Sequence, residues 1–458
     1  MSAEHGADGF VRNRAQLLEG GDRAGRRVVL DVLEDALAAL APETLLGDVL
    51  SLEDDRLTVD GVAYDLAGFE ERYLLAVGKG SASFAAAAEE LLGDRLTGGL
   101  VVDERVTVEI DGIETREADH PIPTAASERA GDAALSLADR AGPEDLVIAV
   151  VTGGASALLS APPEGVTVAE QAAITDALLR AGAPIEDLNA VRKHLSRIKG
   201  GRLTERLRPA TVTDLVVIDE AAGVPWGPTV PDATTAADAV SALRRHGCWA
   251  DAPEAIREHL RRAGEGTPSS FADPPHTVVL ADGPDACRAA AESARSRGID
   301  AAVLSTSIEG ESRTVAATLS SVAAEIAETG RPFEPPCVLV SGGETTVTVG
   351  SESDPGTGGP NQEFALGCAA RIAGTDSTVL AVDTDGTDGP TDRAGGIVDG
   401  HTLRRAADSG VDVDAALRAH DATGALADLG DDVLARPGTN VNDLRLIYVA
   451  ERSDPADG

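Results

Sequence analysis

Residues 73–84 read YLLAVGKGSASF, and this stretch decides the fold class. Its first five residues are apolar and predict a buried strand, two glycines flank Lys79, and the alanine-rich segment 82–92 predicts a helix. The order strand, glycine turn, helix is typical of α/β proteins and brings the first N–H groups of the helix beside the turn. Lys79 is one of only three lysines in the chain, the others being Lys193 and Lys199.

The alternation of strand and helix continues along most of the chain. Further strands are predicted at 98–102, 145–151, 212–218, 276–281, 300–304, 336–340, 377–382 and 444–450, and further helices near 126–140, 168–181, 187–207, 285–297, 312–328 and 361–373. Segment 264–275 is rich in Gly, Pro and Ser and predicts a linker. We therefore expect an α/β protein with two domains. The N-terminal domain, 1–263, is a Rossmann-like parallel sheet with helices on both faces, and the C-terminal domain, 276–458, is a smaller α/β domain.

The chain is strongly acidic, with a net charge of −38 and a pI of about 4.4. Acidic residues occur in nearly every segment, so neither a disordered tail nor a local patch for a basic partner explains them. An even coat of carboxylates suits a protein adapted to molar salt, where a Debye length of about 3 Å screens self-repulsion. We therefore expect a halophilic, haloarchaeal protein, and the negative charge disfavours nucleic acid as a partner.

Targeting signals and cysteine spacing indicate where such a protein works. No apolar run approaches the roughly 18 residues of a membrane span, and residues 1–27 lack the apolar core of a signal peptide. The four cysteines are widely separated and form no CxxC motif, which disfavours a zinc site or a disulfide framework. We expect a cytoplasmic protein without membrane contact, in which the cysteines are small buried side chains.

The glycine turn after the first strand is the first candidate site. Segment 78–83, GKGSAS, nearly matches the dinucleotide motif G-x-G-x-x-G/A, and Asp103 ends the next predicted strand. A bare glycine turn is also common in α/β proteins of any function. The lysine favours an anion, because its ammonium group is a compact charge beside a helix N-terminus. The candidate anion-binding residues of this turn are Gly78, Lys79, Gly80 and Ser81.

A basic segment at 189–202, NAVRKHLSRIKGGR, is the second candidate. Its part from 192 to 202 holds five basic residues and no acid. In a continuous helix, Arg192, Ser196 and Lys199 would share one face. Such a run is usually a solvated surface. Here both remaining lysines fall in it, so we expect an anion site with the candidates Asn189, Arg192, Lys193 and Lys199.

Three further turns follow predicted strands and carry polar groups. TGGASAL at 152–158 offers backbone N–H groups at Gly153 and Gly154 and the hydroxyl of Ser156. In the C-terminal half, the candidate binding residues are Glu344, Asn361 and Gln362, which follow glycine pairs. The acidic turn 383–392, DTDGTDGPTD, is not an EF-hand, but its Asp385 and Asp388 are candidate Mg²⁺ ligands at the edge of a sheet.

Lysines, helix N-termini and a carboxylate-held Mg²⁺ together suit phosphoryl transfer, because its transition state needs positioning and charge neutralisation. The same segments resemble the motifs of the MOFRL-type glycerate kinases. They occur in the family's order and span most of the chain: VGKGSAS (77–83), DHPIP (119–123), TGGASAL (152–158), NAVRKHLSRIKGG (189–201), IDEAAGVPWGPTVPD (218–232), SGGETTVTV (341–349), GGPNQE (358–363), DGTDGPTDRAGG (385–396) and TNVNDL (439–444).

The resemblance implies two α/β domains, the second of the MOFRL type, with an active site in the cleft between them. It implies ATP and Mg²⁺ as cofactors, D-glycerate as the acceptor, and 2-phosphoglycerate as the expected product. Lys79 matches the family's key active-site lysine, and Asp219 matches one member of its acid pair. ATP and D-glycerate are then the expected partners, and a homodimer is a candidate assembly.

Some positions depart from the family pattern. The arginine of the family's GGRNQE motif is Pro360 here, and the alanine after DGPTD is Arg393, so we hypothesise that Arg393 supplies the missing guanidinium as a catalytic residue. The family's serine before GPT is Trp226, and the glycine of its GDD motif is Ile218. Two other functions remain open: a hydroxypyruvate reductase that uses a nicotinamide cofactor, and a non-catalytic protein that binds nucleotides or other anions.

Overall fold

The computed structural model describes residues 9–106, 108–219, 227–262, 266–350, 356–436 and 438–451. Two compact units share these residues. The lysine unit comprises the described part of 45–218 and 224–280, and the carboxylate unit comprises the described part of 1–44, 219–223 and 281–458.

Strands and helices alternate as the sequence predicts. The strands are β1 (Leu50–Glu53), β2 (Arg56–Val59), β3 (Val62–Asp65), β4 (Arg72–Val77), β5 (Gly98–Asp103), β6 (Ile113–Glu117), β7 (Leu146–Val151), β8 (Thr211–Val217), β9 (His276–Ala281), β10 (Asp300–Glu311), β11 (Cys337–Thr346), β12 (Ser377–Asp383), β13 (Gly395–Asp399), β14 (Asp432–Val433) and β15 (Asp443–Val449). The helices are α1 (Arg14–Leu17), α2 (Arg23–Ala39), α3 (Pro42–Val49), α4 (Ser81–Leu92), α5 (Ala125–Arg140), α6 (Ala155–Leu158), α7 (Val168–Arg180), α8 (Ile185–His194), α9 (Arg202–Leu207), α10 (Ala236–Arg245), α11 (Glu254–Arg262), α12 (Gly283–Ser296), α13 (Ser312–Thr329), α14 (Pro360–Ile372), α15 (Thr402–Ser409), α16 (Val413–Arg418) and α17 (Ala422–Leu429).

The main sheet of the lysine unit has the strand order β6-β5-β4-β7-β8-β9. The pairings from β6 through β8 are all parallel, which confirms the predicted parallel sheet. Strands β4 and β7 are apolar and buried along most of their length, as expected of strands covered on both faces. One core lies between this sheet and helices α5 and α9, and its buried members are Leu, Val, Ile and Ala.

The strand order of this sheet reverses at β4. The chain continues from β4 to its neighbour β5, then returns with β7 on the opposite side of β4. Ligands of open α/β sheets bind outside the carboxyl ends of the strands at such a switch point. The segments that follow β4 and β7 are the glycine turns 78–80 and 152–154. The topology therefore places both predicted anion turns where this class of fold binds its ligands.

The sheet of the carboxylate unit is mixed, with the order β10-β11-β15-β12-β13-β14. β10 and β11 are parallel, whereas β15 runs antiparallel to both β11 and β12. Helices α13 and α14 pack on one core of small and aliphatic side chains around Phe364. Helix α2 also packs in this unit, against α12 and β12. The second α/β domain is therefore present, and it is built from both ends of the chain.

The division of the chain differs from the predicted boundaries in two respects. Residues 9–44 belong to the carboxylate unit, because buried Arg26 of α2 forms ion pairs with Asp399 and Asp431. Strand β9 was expected to begin the second domain but forms the edge of the lysine unit's sheet. Of the predicted linker, the described residues 266–275 lie in the lysine unit, and 264–265 lie outside the described residues.

Candidate functional site

The turns after β4 and β7 are joined by backbone hydrogen bonds. The N–H of Lys79 donates to the carbonyl of Gly153 at 2.7 Å, and the hydroxyl of Thr152 donates to the carbonyl of Lys79 at 2.8 Å. A Cβ atom on Gly154 would lie 3.2 Å from Cγ of Lys79, so the lysine side chain runs directly past this glycine. The structure therefore brings Lys79 together with Gly153 and Gly154.

The N-terminus of helix α4 is already occupied by a carboxylate. Asp103, at the end of β5, accepts the N–H of Gly80 at 3.2 Å and that of Ala82 at 3.0 Å. Burial raises the pKa of Asp103, and these backbone N–H groups oppose the rise. The hydroxyl of Ser81 is buried and donates to the carbonyl of Val102. The expectation that Gly80 and Ser81 bind phosphate is therefore corrected, since their polar groups serve the protein itself.

The basic segment is not one continuous helix, so the predicted shared face of Arg192, Ser196 and Lys199 is wrong. Helix α8 ends at His194 and α9 begins at Arg202. Between them Gly200 and Gly201 have φ values of 65° and 81°, the left-handed conformation that favours glycine. The chain therefore turns inward after α8 instead of continuing along its axis.

The inward turn nevertheless gathers the predicted cations around Ser156. One pocket is lined by Ala155, Ser156, Leu159, Asn189, Lys193, Lys199, Gly200, Gly227 and Pro228. An adjoining pocket shares Ser156 and Lys199 and adds Arg192. None of the described residues that line either pocket is acidic. We call the two together the cationic pocket, and it lies wholly in the lysine unit.

Lys199 is the most buried cation of this pocket, with 6% of its surface exposed. Its Nζ donates to the carbonyl of Leu159 at 2.7 Å. Burial, together with the nearby charge of Arg192, lowers the pKa of Lys199 to about 7. Burial likewise lowers the pKa of Arg192 to about 10. Lys199 is buried and Arg192 is half-buried beside it, and like charges this close are unfavourable unless an anion joins them. The arrangement therefore favours an anion site over a solvated surface.

Lys193 differs from Lys199 because its charge has a partner. Its Nζ forms a 3.0 Å ion pair with Asp232, whose carboxylate also accepts the hydroxyls of Thr234 and Thr267. Sequence reasoning missed Asp232, which lies about 40 positions from Lys193 and gives no periodic signal.

In the carboxylate unit, Asp388 occupies the N-terminus of helix α14. One oxygen accepts the backbone and side-chain N–H groups of Asn361 at 3.0 and 3.2 Å, and the other accepts those of Gln362 at 2.9 and 3.0 Å. A Cβ on Gly359 would lie 2.3 Å from this carboxylate, so glycine is required there. Pro360 fits the first helical position, where no N–H is needed. Asn361 and Gln362 therefore hold Asp388 at the buried start of α14, and their role as ligand groups stays a prediction.

Asp388 does not fit a resident Mg²⁺ ion, which argues against its predicted role, whereas a metal-binding role of Asp385 stays a prediction. Both oxygens of Asp388 are used by N–H donors, and burial raises its pKa to about 7. Asp385 accepts the N–H and the hydroxyl of Thr387 at 2.7 and 2.8 Å. Among the described residues, no group of three or more His, Cys, Asp or Glu side chains could hold a metal ion.

The remaining candidates of this unit are less defined. Arg393 forms ion pairs with Asp392 and Asp432, which argues against the hypothesis that it replaces the family's arginine, and that hypothesis stays a prediction. Glu344 is exposed near the end of β11. Asp219 is half-buried and directly precedes 220–226, which lie outside the described residues and include Trp226.

Comparisons with known proteins agree over nearly the whole chain. Residues 28–261 match a family described as a domain of unknown function (DUF4147), and residues 337–443 match the MOFRL family. The chain is 38% identical to the glycerate 2-kinase of Pyrococcus horikoshii over 93% of this chain and 98% of that one. It is 34% identical to the D-glycerate 2-kinase of Thermotoga maritima over 92% of this chain and 97% of that one.

Two solved structures are also similar to this chain over most of its length. The crystal structure of the glycerate kinase of Thermotoga maritima superposes with a TM-score of 0.79 at 32% identity, covering 93% of this chain and 99% of that one. A crystal structure of a Pyrococcus horikoshii protein gives a TM-score of 0.77 at 37% identity, with the same coverage. Because the matched domains, the sequence identity and the architecture all agree, this chain belongs to the family of the MOFRL-type glycerate kinases.

Proposed function

We propose that this chain is an ATP-dependent glycerate 2-kinase, which phosphorylates D-glycerate to 2-phosphoglycerate. Its relatives in Pyrococcus horikoshii and Thermotoga maritima carry that name and align over more than nine tenths of the chain. The observation that carries the proposal is the cationic pocket around Ser156, which gathers Arg192 and Lys199 in a chain of net charge −38. Both ATP and glycerate are anions and need such a site.

The chemistry suits these residues. Phosphoryl transfer depends almost entirely on positioning and on neutralising charge at the moving phosphoryl group. In this proposal Lys79, held at the switch point by Gly153, contacts the transferred phosphoryl group. Lys199 and Arg192 bind a carboxylate or phosphate in the cationic pocket, where burial strengthens their electrostatic effect.

ATP is the phosphoryl donor in this proposal, and Mg²⁺ enters bound to the nucleotide. The ion would neutralise phosphate charge, as it does in phosphoryl-transfer enzymes generally. Because Asp388 is fully used in capping helix α14, we assign no metal-binding role to the acidic turn.

A hydroxypyruvate reductase is the second candidate, because a protein of Agrobacterium vitis that carries this name is 37% identical over 82% of this chain. The contact between Asp103 and the N-terminus of α4 argues against it. A dinucleotide needs those N–H groups for its pyrophosphate and the acid after the second strand for its ribose. Here the same acid binds the N–H groups.

The proposal is tested by incubating the protein with ATP, Mg²⁺ and D-glycerate in molar KCl and identifying the phosphoglycerate isomer by NMR. We expect 2-phosphoglycerate, and Lys79→Met should lower kcat by about two orders of magnitude or more because a charge at the phosphoryl group is lost. Arg197→Met, which removes an exposed cation from the basic segment, is the matched control and should retain activity. Absence of product at every salt concentration would refute the kinase assignment, and binding of ATP without turnover would favour the non-catalytic alternative.

A further inference from the structure

Strand β8 carries a buried carboxyl group that the proposed chemistry does not use. Asp214 is 0% exposed, and neither of its carboxylate oxygens has a hydrogen-bond partner among the described residues. The hydroxyl of Thr229 is also buried and also lacks such a partner. Helix α9 connects the two regions, because it packs against β8 and the hydroxyl of its Thr204 donates to the carbonyl of Thr229 at 3.0 Å. Burial raises the pKa of Asp214 to about 7, and the hydroxyl of Thr229 lowers it. Burying a carboxyl or a hydroxyl group without a hydrogen bond costs folding free energy, and two such groups that pair avoid this cost.

Thr229 belongs to a segment that forms one wall of the cationic pocket. We call residues 227–232 the strap. Its first two residues, Gly227 and Pro228, line the pocket beside Lys199. Its last residue, Asp232, holds the ammonium group of Lys193. The strap therefore lines the pocket beside Lys199 and binds Lys193 through the carboxylate of Asp232.

The strap is packed closely against the turn that follows Lys199. A Cβ atom on Gly201 would lie 3.0 Å from Cα of Pro231 and 3.2 Å from the carbonyl oxygen of Val230. The hydroxyl of Thr204, in helix α9, donates to the carbonyl of Thr229 at 3.0 Å. A shift of the strap would therefore change its contacts with this turn, which directly follows Lys199.

We propose that Asp214 is a positioning residue, which pairs with the hydroxyl of Thr229 and so fixes the strap against Lys193 and Lys199. Thr229 is then held at both ends, its carbonyl by Thr204 and its side chain by Asp214. Asp214 does not line the cationic pocket, so its effect on substrates passes through the strap. The consequence for substrate binding rests on the proposed function, whereas the geometric claim can be measured without it.

Selective labelling tests the geometry, because the chain has only three lysines. ¹⁵N-lysine labelling of the full-length protein gives three lysine amide signals, and Lys79 serves as an internal reference. We expect Asp214→Ala and Thr229→Val to shift the signals of Lys193 and Lys199 and to leave that of Lys79 in place. Thr213→Val is the matched control. Thr213 is equally buried in β8 but alternates to the opposite face, where its hydroxyl donates to the carbonyl of His276.

Kinetics in molar KCl give the second readout. Asp214→Ala and Thr229→Val should each raise KM for ATP or glycerate about tenfold, with a smaller change in kcat, because the anion site is displaced. Asp214→Asn keeps a hydrogen-bonding side chain and should restore most of the affinity. The double variant should be no worse than either single one, since both break the same contact.

The outcomes separate the two proposals. Unshifted Lys193 and Lys199 signals in both single variants, or equal shifts in Thr213→Val, would refute the positioning role. A wild-type protein without kinase activity would refute the proposed function, while the lysine signals would still decide the role of Asp214. If Asp214→Ala does not fold, Thr229→Val removes only the hydroxyl and gives the same decision.

Discussion

The carboxylate of Asp103 accepts the backbone N–H of Gly80 at 3.2 Å, which joins the end of β5 to the first turn of helix α4. This contact gives the near-match to a dinucleotide motif a structural meaning. The acid that would bind a ribose in a dinucleotide enzyme serves here as the cap of the helix. The glycine turn is thereby left to position Lys79.

We expect Asp103→Ala to lower the free energy of unfolding by about 1–2 kcal/mol, because helix α4 loses its cap. Urea denaturation in molar KCl measures this change. Neither the wild type nor the variant should oxidise NADH in the presence of hydroxypyruvate. Saturable NADH oxidation by the wild type that Asp103→Ala abolishes would instead support the reductase.

The buried amine of Lys199 predicts a pH dependence. Its pKa is about 7 in the fold and 10.5 ordinarily, so between these values the unfolded chain binds more protons. The contribution of this group to the free energy of unfolding therefore rises with pH from about 7 to 10.5. Lys199→Met should remove this rise, which urea denaturation at several pH values detects.

The same amine should make anion binding pH-dependent. Above pH 7 Lys199 loses its proton, so we expect the Kd for ATP, measured by calorimetry, to increase between pH 6 and 9. Lys199→Met should bind ATP more weakly and with less pH dependence. Identical curves for the two proteins would show that Lys199 does not face the bound anion.

Asp388 should behave as a helix cap and not as a metal ligand. Asp388→Asn places an amide NH₂ against N–H donors of Asn361 and Gln362, and we expect it to lower the free energy of unfolding by about 2–3 kcal/mol. The Mg²⁺ concentration that gives half-maximal activity at fixed ATP should not change. A large increase in that concentration, with stability preserved, would restore the metal-site interpretation.

Arg393 should matter for stability and not for catalysis. Arg393→Ala leaves the buried carboxylate of Asp432 without its ion pair, so we expect the free energy of unfolding to fall by about 1–3 kcal/mol. Steady-state kinetics should show kcat/KM for ATP and glycerate within about twofold of the wild type. A loss of tenfold or more at unchanged stability would instead revive the hypothesis that Arg393 supplies the missing guanidinium.

The net charge of −38 predicts that stability rises with salt. Added ions screen repulsion among the carboxylates, so the melting temperature should rise steeply between about 0.1 and 3 M KCl. Sucrose at matched osmolarity is the control, because it stabilises folded proteins without screening charge. Full stability at low KCl would contradict adaptation to high salt.

Much of the fold could be predicted because its signals are local. The apolar run before Gly78 and the alanine-rich segment after Gly80 specify a strand and a helix at neighbouring positions. The convergence of Lys79 with Gly153 was also predictable, since parallel strands bring their carboxyl ends to one edge. The break of the basic segment was not, because it depends on how Gly200 and Gly201 pack against the strap.

The sequence by itself determined the parallel sheet and the two glycine turns. It also showed that this acidic chain has only three lysines, all in candidate anion sites. Only the tertiary structure decided which charged groups are available to a ligand. Asp103, Asp232 and Asp388 each meet their partners across more than twenty residues of chain, and burial makes such pairing decisive. No pattern of sequence spacing distinguishes these hydrogen-bonded carboxylates from the other carboxylates. Lys199 likewise differs from the other cations only in the folded protein, where it lies buried in the cationic pocket.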